Sequence, residues 1–226
     1  MKIQFYGHSC FGIQVGDKHL LIDPFITGNP LASNVDVDTI PADYILITHG
    51  HVDHVLDAEI IAKRTGAMII SNFEIVSWYE GKGITNVHPL NHGGQKSFEF
   101  GSVKYVNAIH SSVLPDGTYG GNPGGFVIRG KEKTIYLAGD TALTLDMKLL
   151  GDYESIDLAI LPIGDNFTMG VADAIICADF IDCKRIIGMH FDTFPPIEIN
   201  HREAIDAFVE SGKELILMEI GGTLDI

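Results

Sequence analysis

Short apolar runs bounded by Gly, Pro, Asn or Asp recur along the chain and predict β-strands. In the first hundred residues we expect strands at Lys2–Tyr6, Phe11–Val15, His19–Ile22, Tyr44–Ile47, Ala67–Ser71, Asn86–Leu90 and Gln95–Phe100. Asp23-Pro24 ends the third of these, because proline has no N–H for a strand ladder. Ala58–Arg64 and Phe73–Glu80 are expected to be helices that end at glycines, and Ile26–Ile40 is expected to be a polar loop.

The second half of the chain continues the alternation of strands and helices. Strands are expected at Val103–Ile109, Phe126–Arg129, Thr134–Leu137, Leu158–Leu161, Arg185–Gly188, Leu215–Met218 and Thr223–Asp225. Helices are expected at Leu145–Leu150, at Val171–Asp182 with Thr168 as a candidate N-cap, and from a capping pattern at Asn200 and Glu203 through Val209. Ser111–Gly125 is a long glycine-rich loop, and loops of this length in compact domains are usually functional or disordered.

No linker, low-complexity tract or simple repeat divides the chain. Both halves begin with strands and then alternate helix with strand. We therefore expect a single domain over residues 1–226, of the α/β (α+β) class, in which two mixed sheets pack together with helices outside.

Composition narrows the possible partners and the cellular location. Of 226 residues, 46% are hydrophobic, which is enough for a sizeable core, and the formal net charge is −15. That charge disfavours nucleic acid, which normally requires a basic surface. No apolar run reaches the roughly 18 residues of a membrane span, and the N-terminus does not resemble a signal peptide. Three unpaired cysteines fit a reducing compartment, so we expect a cytoplasmic protein. The pattern leaves open whether it forms a homo-oligomer.

The stretch His49-Gly50-His51-Val52-Asp53-His54 follows the predicted strand Tyr44–Ile47 and holds four candidate metal ligands in six residues. Imidazole nitrogens and carboxylate oxygens suit zinc, and also manganese or iron. His49 and His51 are two residues apart around a glycine, which differs from the i and i+4 spacing of ligands on a helix. Asp53 and His54 are adjacent and must diverge, which serves a second ion.

Three further candidate ligands, His110, Asp140 and His190, each follow another predicted strand. Functional groups of open sheets gather where strands end, so these residues are expected to converge with the histidine loop. We assign His49, His51 and His110 to one metal and Asp53, His54 and His190 to a second metal, with Asp140 as the bridge. The expected cofactor is therefore two divalent ions, Zn²⁺ in first place and Mn²⁺ or iron as alternatives.

The loop and its partners, in this order, resemble the metallo-β-lactamase superfamily over essentially the whole chain. A closer similarity, to an uncharacterised branch of metal-dependent hydrolases that is itself similar to ascorbate-phosphate lactonases, is carried by Gly7-His8-Ser9, Leu21–Phe25, Gly120–Phe126, Leu161–Gly170 and Met189–Pro195. The resemblance implies a four-layer αββα sandwich with two zinc-type ions between the sheets. True lactamases have cysteine where this chain has Asp140, so antibiotic hydrolysis is not expected. The branch more commonly has Tyr-Asn where this chain has Phe191-Asp192.

These residues predict a binuclear hydrolase in which a hydroxide that bridges the metals attacks an ester, lactone or phosphoester. The catalytic candidates are Asp53, which would also orient the nucleophile, Asp140, and His8 as a proton donor. Asp23 is expected to hold the histidine loop through hydrogen bonds. The charge of two dications favours a small anionic substrate. The alternatives are a di-iron redox protein with the same ligands and a metal or ligand sensor without catalysis. Structural roles are expected for the remaining histidines, His19, His88, His92 and His201.

Overall fold

Two mixed β-sheets of seven strands each form the centre of the fold in a computed structural model that describes residues 1–226. The strands are β1 Lys2–Gly7, β2 Cys10–Val15, β3 Lys18–Ile22, β4 Tyr44–Leu46, β5 Met68–Ser71, β6 Val87–Pro89, β7 Gln95–Phe98, β8 Gly101–Asn107, β9 Gly124–Arg129, β10 Thr134–Leu137, β11 Leu158–Pro162, β12 Arg185–Met189, β13 Glu214–Ile216 and β14 Thr223–Asp225. The helices are α1 Val52–Val55, α2 Ala58–Thr65, α3 Phe73–Gly81, α4 Asp146–Tyr153, α5 Val171–Phe180 and α6 His201–Glu210.

The alternation of side chains along each strand divides the apolar residues into three layers. Leu20 and Ile22 of β3 face a central core shared by both sheets, whereas Leu21 between them packs in an outer core with α2 and α3. In the second sheet, Ile135 faces the central core and Tyr136 an outer core with α4, α5 and α6. The predicted αββα sandwich is therefore confirmed: the three apolar layers lie between its four layers of helices, sheet, sheet and helices.

The strand directions bring the loops that carry the candidate ligands to one edge. The sheet orders are β14-β1-β2-β3-β4-β5-β6 and β13-β12-β11-β10-β9-β8-β7. β1 and β3 run parallel because each is antiparallel to β2, and β4 is parallel to β3. β8, β10, β11 and β12 share one direction in the second sheet by the same reasoning. A hydrogen bond of 3.0 Å from His190 N–H to the His8 carbonyl joins these edges of the two sheets.

The expected elements are present, with differences at their ends. The histidine loop contains a short helix, α1, so that Asp53 and His54 lie in a helical turn. The expectation that Thr168 caps α5 was wrong. Gly170 is the N-cap without a side-chain bond, and the Thr168 hydroxyl donates to the Met169 carbonyl instead. Asn200 caps α6 as predicted, since its side chain accepts from two backbone N–H groups.

None of the six helices has the length and apolar character that crossing a membrane requires.

Candidate metal centre

The first group of candidate ligands consists of His49, His51 and His110. Their ligand atoms all lie within 4.8 Å of one another. His49 and His51 follow β4, and their ring nitrogens Nε2 and Nδ1 are 3.0 Å apart. His110 follows β8, which ends at Asn107 and so releases the next residues from the ladder. The structure thus brings together the three residues that the sequence assigned to one ion.

The second group consists of Asp53, His54 and His190, joined by His8. Asp53 Oδ2 is 3.8 Å from His54 Nε2, 3.9 Å from His190 Nε2 and 3.1 Å from His8 Nε2. Asp53 and His54 occupy adjacent positions of α1, and their ligand atoms converge on one group instead of diverging as the sequence suggested. His190 comes from the end of β12 in the other sheet. The predicted second set is therefore assembled, and His8 is placed beside it.

Asp140 lies between the two groups, as its predicted bridging role requires. Its Oδ2 atom is 3.8 Å from His49 Nε2 and 3.7 Å from His110 Nε2, in the first group. In the second group it is 3.3 Å from His54 Nε2 and 2.9 Å from His190 Nε2. Burial raises the pKa of this carboxyl, but His54 and His190 outweigh that effect and hold the pKa well below its usual range. Asp140 is therefore a carboxylate that reaches both groups.

Several buried polar atoms at this centre have no hydrogen-bond partner in the protein. They include His54 Nε2, Asp140 Oδ1 and His190 Nδ1. A buried polar atom left unpaired costs about 1–3 kcal/mol. Such atoms in a cluster of imidazole nitrogens and carboxylate oxygens match the ligand set of Zn²⁺ and similar divalent ions. The donor chemistry of the cluster therefore fits divalent cations.

The protonation of the cluster fits the same ions. Burial lowers the pKa of His49 well below its ordinary value and also lowers those of the other two histidines of the first group. These rings are neutral at neutral pH, which is the form that binds metal. Burial also acts to lower the pKa of His54, but Asp140 and Asp23 outweigh it and raise that pKa. The position between these two carboxylates favours a positive charge, which a divalent cation also supplies.

Asp23 supports the histidine loop from beneath, as predicted. Its carboxylate accepts from Thr48 N–H at 2.8 Å and from the Thr48 hydroxyl at 2.7 Å. It also lies 2.9 Å from His54 Nδ1. Burial raises the pKa of Asp23, and His54 and Thr48 act against that effect. Because the carboxyl accepts both bonds from Thr48, it is placed to accept from His54 Nδ1 as well, which leaves Nε2 to face Asp140. The residue has φ of +41°, an uncommon conformation outside glycine that this network holds in place.

His8 is buried, and both of its ring nitrogens have partners. Nδ1 is 2.9 Å from the Thr193 hydroxyl, and Nε2 is 3.1 Å from Asp53 Oδ2. Burial lowers the pKa of His8 to about 4 in spite of the hydrogen bond to Asp53. The role of Thr193 could not be predicted from the sequence, because no local pattern indicates a contact with a residue 185 positions away.

The remaining histidines lie outside both groups, in agreement with their predicted structural roles. His92 Nε2 is 2.8 Å from the Pro123 carbonyl, and its ring stacks on Tyr105. His201 Nε2 is 2.5 Å from Asp192 Oδ2. Asp192 therefore directs its carboxylate to α6 and not to a candidate ligand.

The glycine-rich loop predicted over residues 111–125 is ordered beside the first group. Ser112 Oγ accepts from Gly50 N–H at 3.0 Å and donates to the Gly120 carbonyl at 2.9 Å. A Cβ atom at Gly120 would lie 2.4 Å from Ser112 Oγ and 3.4 Å from Gly50 Cα, so the chain requires glycine for this close approach. Ser111 Oγ is 3.2 Å from His51 Nε2. The loop forms one side of the metal centre.

Comparison with known proteins agrees with this geometry. Residues 2–190 match the family model described as the beta-lactamase superfamily domain. A "UPF0173 metal-dependent hydrolase" of Flavobacterium johnsoniae is 63% identical over 226 residues, which covers the whole of both chains. The structure of Igni18, described as a metallo hydrolase from Ignicoccus hospitalis, aligns with a TM-score of 0.89 at 32% identity over 99% of this chain and 97% of that one. An isothiocyanate hydrolase from Delia radicum gut bacteria aligns with a TM-score of 0.80 at 20% identity over 100% and 99% of the two chains, which shows a shared fold. The chain therefore belongs to the metallo-β-lactamase superfamily and, within it, to the UPF0173 family.

Proposed function

We propose that this protein is a metal-dependent hydrolase that uses two divalent ions to cleave an ester, lactone or phosphoester bond in a small molecule. The observation that carries the proposal is the position of Asp140, whose Oδ2 lies within 3.8 Å of histidines from both ligand groups. The names of the Flavobacterium and Ignicoccus relatives support the same class of reaction. The first group would hold one ion, the second group would hold the other, and Asp140 is placed between them to serve both.

Bound divalent ions lower the pKa of water and polarise the bond that is attacked. The protein supplies the arrangement of the ligands. Asp53 is oriented by His8 through a hydrogen bond of 3.1 Å, and Thr193 holds His8 in turn. Because the His8 side chain has no exposed surface, we propose that it positions Asp53 and that it does not itself donate a proton to substrate.

Metal depletion and restoration test the proposal. Protein stripped with a chelator should lose hydrolysis of p-nitrophenyl esters, aliphatic lactones and bis(p-nitrophenyl) phosphate, and Zn²⁺, Mn²⁺ or Fe²⁺ should restore it at two ions per chain. An optical spectrum separates zinc from a di-iron centre, because oxidised iron absorbs and zinc does not. Full activity in metal-free protein, or saturation at one ion per chain, would contradict the binuclear proposal.

His51→Ala and His19→Ala form a matched pair for this experiment. His51 belongs to the first ligand group, whereas His19 is a half-buried histidine on β3 whose ring pairs with Asp43. His51→Ala should lose bound metal and activity, and His19→Ala should keep both. Equal losses would show that the effect of His51→Ala is not specific to the metal centre.

A further inference from the structure

The loops around the metal centre contain no lysine or arginine. All 15 Lys and Arg residues of the chain lie outside six segments, which are 3–17, 19–62, 105–128, 134–147, 149–183 and 186–201. These segments include every loop that carries a candidate ligand, together with the turn at residues 164–170 beside His190. Proteins commonly recognise phosphate and carboxylate groups through the side chains of arginine and lysine. No such side chain is available in the loops of this edge.

The cations that approach these loops from elsewhere are already paired. Arg64 of α2 donates to the carbonyls of Val37 and Ile40 and so holds the loop before β4. Lys82, which follows α3, is 3.1 Å from Glu59 and lies over the ring of Trp78. Neither cation is free to bind an anionic substrate.

Exposed apolar residues stand in the segments that carry or adjoin the candidate ligands. Val52 lies between His51 and Asp53 in the chain and is half exposed. Ile109 directly precedes His110, and its backbone N–H donates to the Thr141 hydroxyl beside Asp140. A third exposed apolar residue is Phe167. We call Val52, Ile109 and Phe167 the apolar rim.

Phe167 belongs to the turn 164–170, which is held between the two sides of the centre. Met169 N–H donates to the Thr141 carbonyl at 2.9 Å. At the start of the turn, a Cβ atom on Gly164 would lie 2.1 Å from the His190 carbonyl oxygen. The backbone of the turn therefore packs directly against the backbone at His190. Phe167 itself is 54% exposed, although its turn is fixed at both ends.

The charge of the centre itself gives less reason for an anionic substrate than the sequence suggested. Two dications would be offset in part by Asp53 and Asp140 of the ligand groups, and the Asp23 carboxyl, outside those groups, lies 2.9 Å from His54. Exposed acidic residues such as Asp116 and Asp165 stand in the surrounding loops, and none of those loops carries a cation to oppose them. This arrangement repels anions on approach.

We infer that the substrate of this centre is an uncharged, largely apolar small molecule, a neutral carboxylic ester or lactone, and not a phosphorylated or carboxylated one. The inference rests on the proposed function. In the reaction, the C–O bond between the acyl carbon and the leaving oxygen breaks, and the oxygen of water forms a new bond to that carbon. One proton of water goes to the leaving alkoxide, and the products are a carboxylic acid and an alcohol.

Two p-nitrophenyl esters of equal acyl length test the charge preference. The metal-loaded protein should hydrolyse p-nitrophenyl butyrate with a kcat/KM at least about tenfold higher than mono-p-nitrophenyl succinate, whose acyl chain ends in a carboxylate. From acetate to hexanoate, kcat/KM should rise by up to about fourfold per methylene, the value for full burial of a CH₂ group. For the succinate ester, kcat/KM should not fall between low and high salt, since no lysine or arginine of these loops attracts its carboxylate. Preference for the succinate ester or for a phosphoester, lost on chelation, would overturn the inference and leave the hydrolase proposal standing.

Variants of the apolar rim connect the preference to these residues. Phe167→Ser and Ile109→Ser should flatten the dependence on chain length without change in metal content. Val209→Ser, which replaces an exposed valine on α6, should keep the wild-type dependence. An unchanged slope in both rim variants would overturn the inference.

Binding to metal-free protein gives a readout that does not depend on turnover. Saturation-transfer NMR with p-nitrophenyl butyrate on the chelator-treated protein should detect binding that Phe167→Ser weakens. Such binding without hydrolysis by the metal-loaded protein would contradict the proposed function and retain the rim as an apolar site. Absence of binding to wild-type protein would overturn the inference itself.

Discussion

Asp23→Asn tests whether a carboxylate outside the ligand set controls metal binding. The wild-type carboxylate has three contacts, two with Thr48 and one with His54 Nδ1. An asparagine can keep its oxygen toward Thr48 N–H, and the Thr48 hydroxyl can rotate to accept from the new NH₂ group. His54 Nδ1 would then also face that donor and has to give up its proton. The proton would move to Nε2, the atom with which His54 would hold an ion of the second group.

The size of the effect follows from this change of tautomer. Removing a residue that orients a metal-binding histidine typically costs about 10- to 100-fold in metal affinity. This range corresponds to about 1.4–2.8 kcal/mol, and a lost hydrogen bond to a charged group accounts for about 1.5–3 kcal/mol. We therefore expect Asp23→Asn to weaken the binding of a divalent ion at the second group by about 10- to 100-fold.

Competition against a chelator, with Zn²⁺ or the visible spectrum of Co²⁺ as the signal, measures this loss. Asp57→Asn is the matched control. Asp57 is also a buried carboxylate, but it accepts from the backbone N–H groups of Ile26 and Thr27 and from the Thr27 hydroxyl, and it contacts no candidate ligand. Wild-type affinity in Asp23→Asn, or an equal loss in Asp57→Asn, would refute the reasoning.

Three further predictions concern stability and are read from thermal unfolding. Gly139 has φ of +66°, and an added Cβ would lie 2.7 Å from a carbonyl oxygen of β9. Gly139→Ala should therefore lower the free energy of unfolding by about 1–3 kcal/mol. Gly16→Ala, at φ of +64° with open space around it, should cost less, and equal losses would contradict the packing argument. Asn200→Ala should lower the free energy of unfolding by about 1 kcal/mol, because α6 loses its N-cap. Thr168→Ala should leave the free energy of unfolding unchanged, because Thr168 does not cap α5. A larger loss in Thr168→Ala than in Asn200→Ala would show that Thr168 is a cap after all. Burial raises the pKa of Asp157, but hydrogen bonds from a lysine and a backbone N–H outweigh it and lower that pKa. A carboxyl whose pKa is lower in the folded state stabilises the fold at pH values above its unfolded pKa, and this contribution is lost as pH falls. Asp157→Asn should therefore lower Tm near pH 7 and not near pH 2. A difference in Tm between the two proteins that does not depend on pH would contradict this.

The ligand set is the part of the site that could be predicted from the chain alone. His49, His51, Asp53 and His54 stand in one short stretch, and His110, Asp140 and His190 each follow a predicted strand. Strand ends in a sheet of this type converge at one edge, so local pattern and simple topology were sufficient to group them. The division into two groups with Asp140 between them agrees with the observed distances.

Contacts between residues far apart in the chain required the tertiary structure. The bond from Thr193 to His8 joins residues 185 positions apart, and the hydrogen bond between His190 and His8 joins the two sheets. The sequence predicts a small anionic substrate from the ligands alone, whereas the inference of an uncharged substrate also uses the loops around them. Val52 and Phe167 belong to α1 and to the turn 164–170, whose positions are fixed by backbone hydrogen bonds.

Sequence by itself determined the fold class, the order of the strands and helices, and the set of candidate metal-binding side chains. These depend on local apolar periodicity and on residue chemistry, both of which can be read along the chain. Tertiary structure decided which atoms of those side chains face one another, which residues orient them, and how polar their surroundings are. These properties depend on distances across the two sheets and on burial, and they arise only when the strands are packed together.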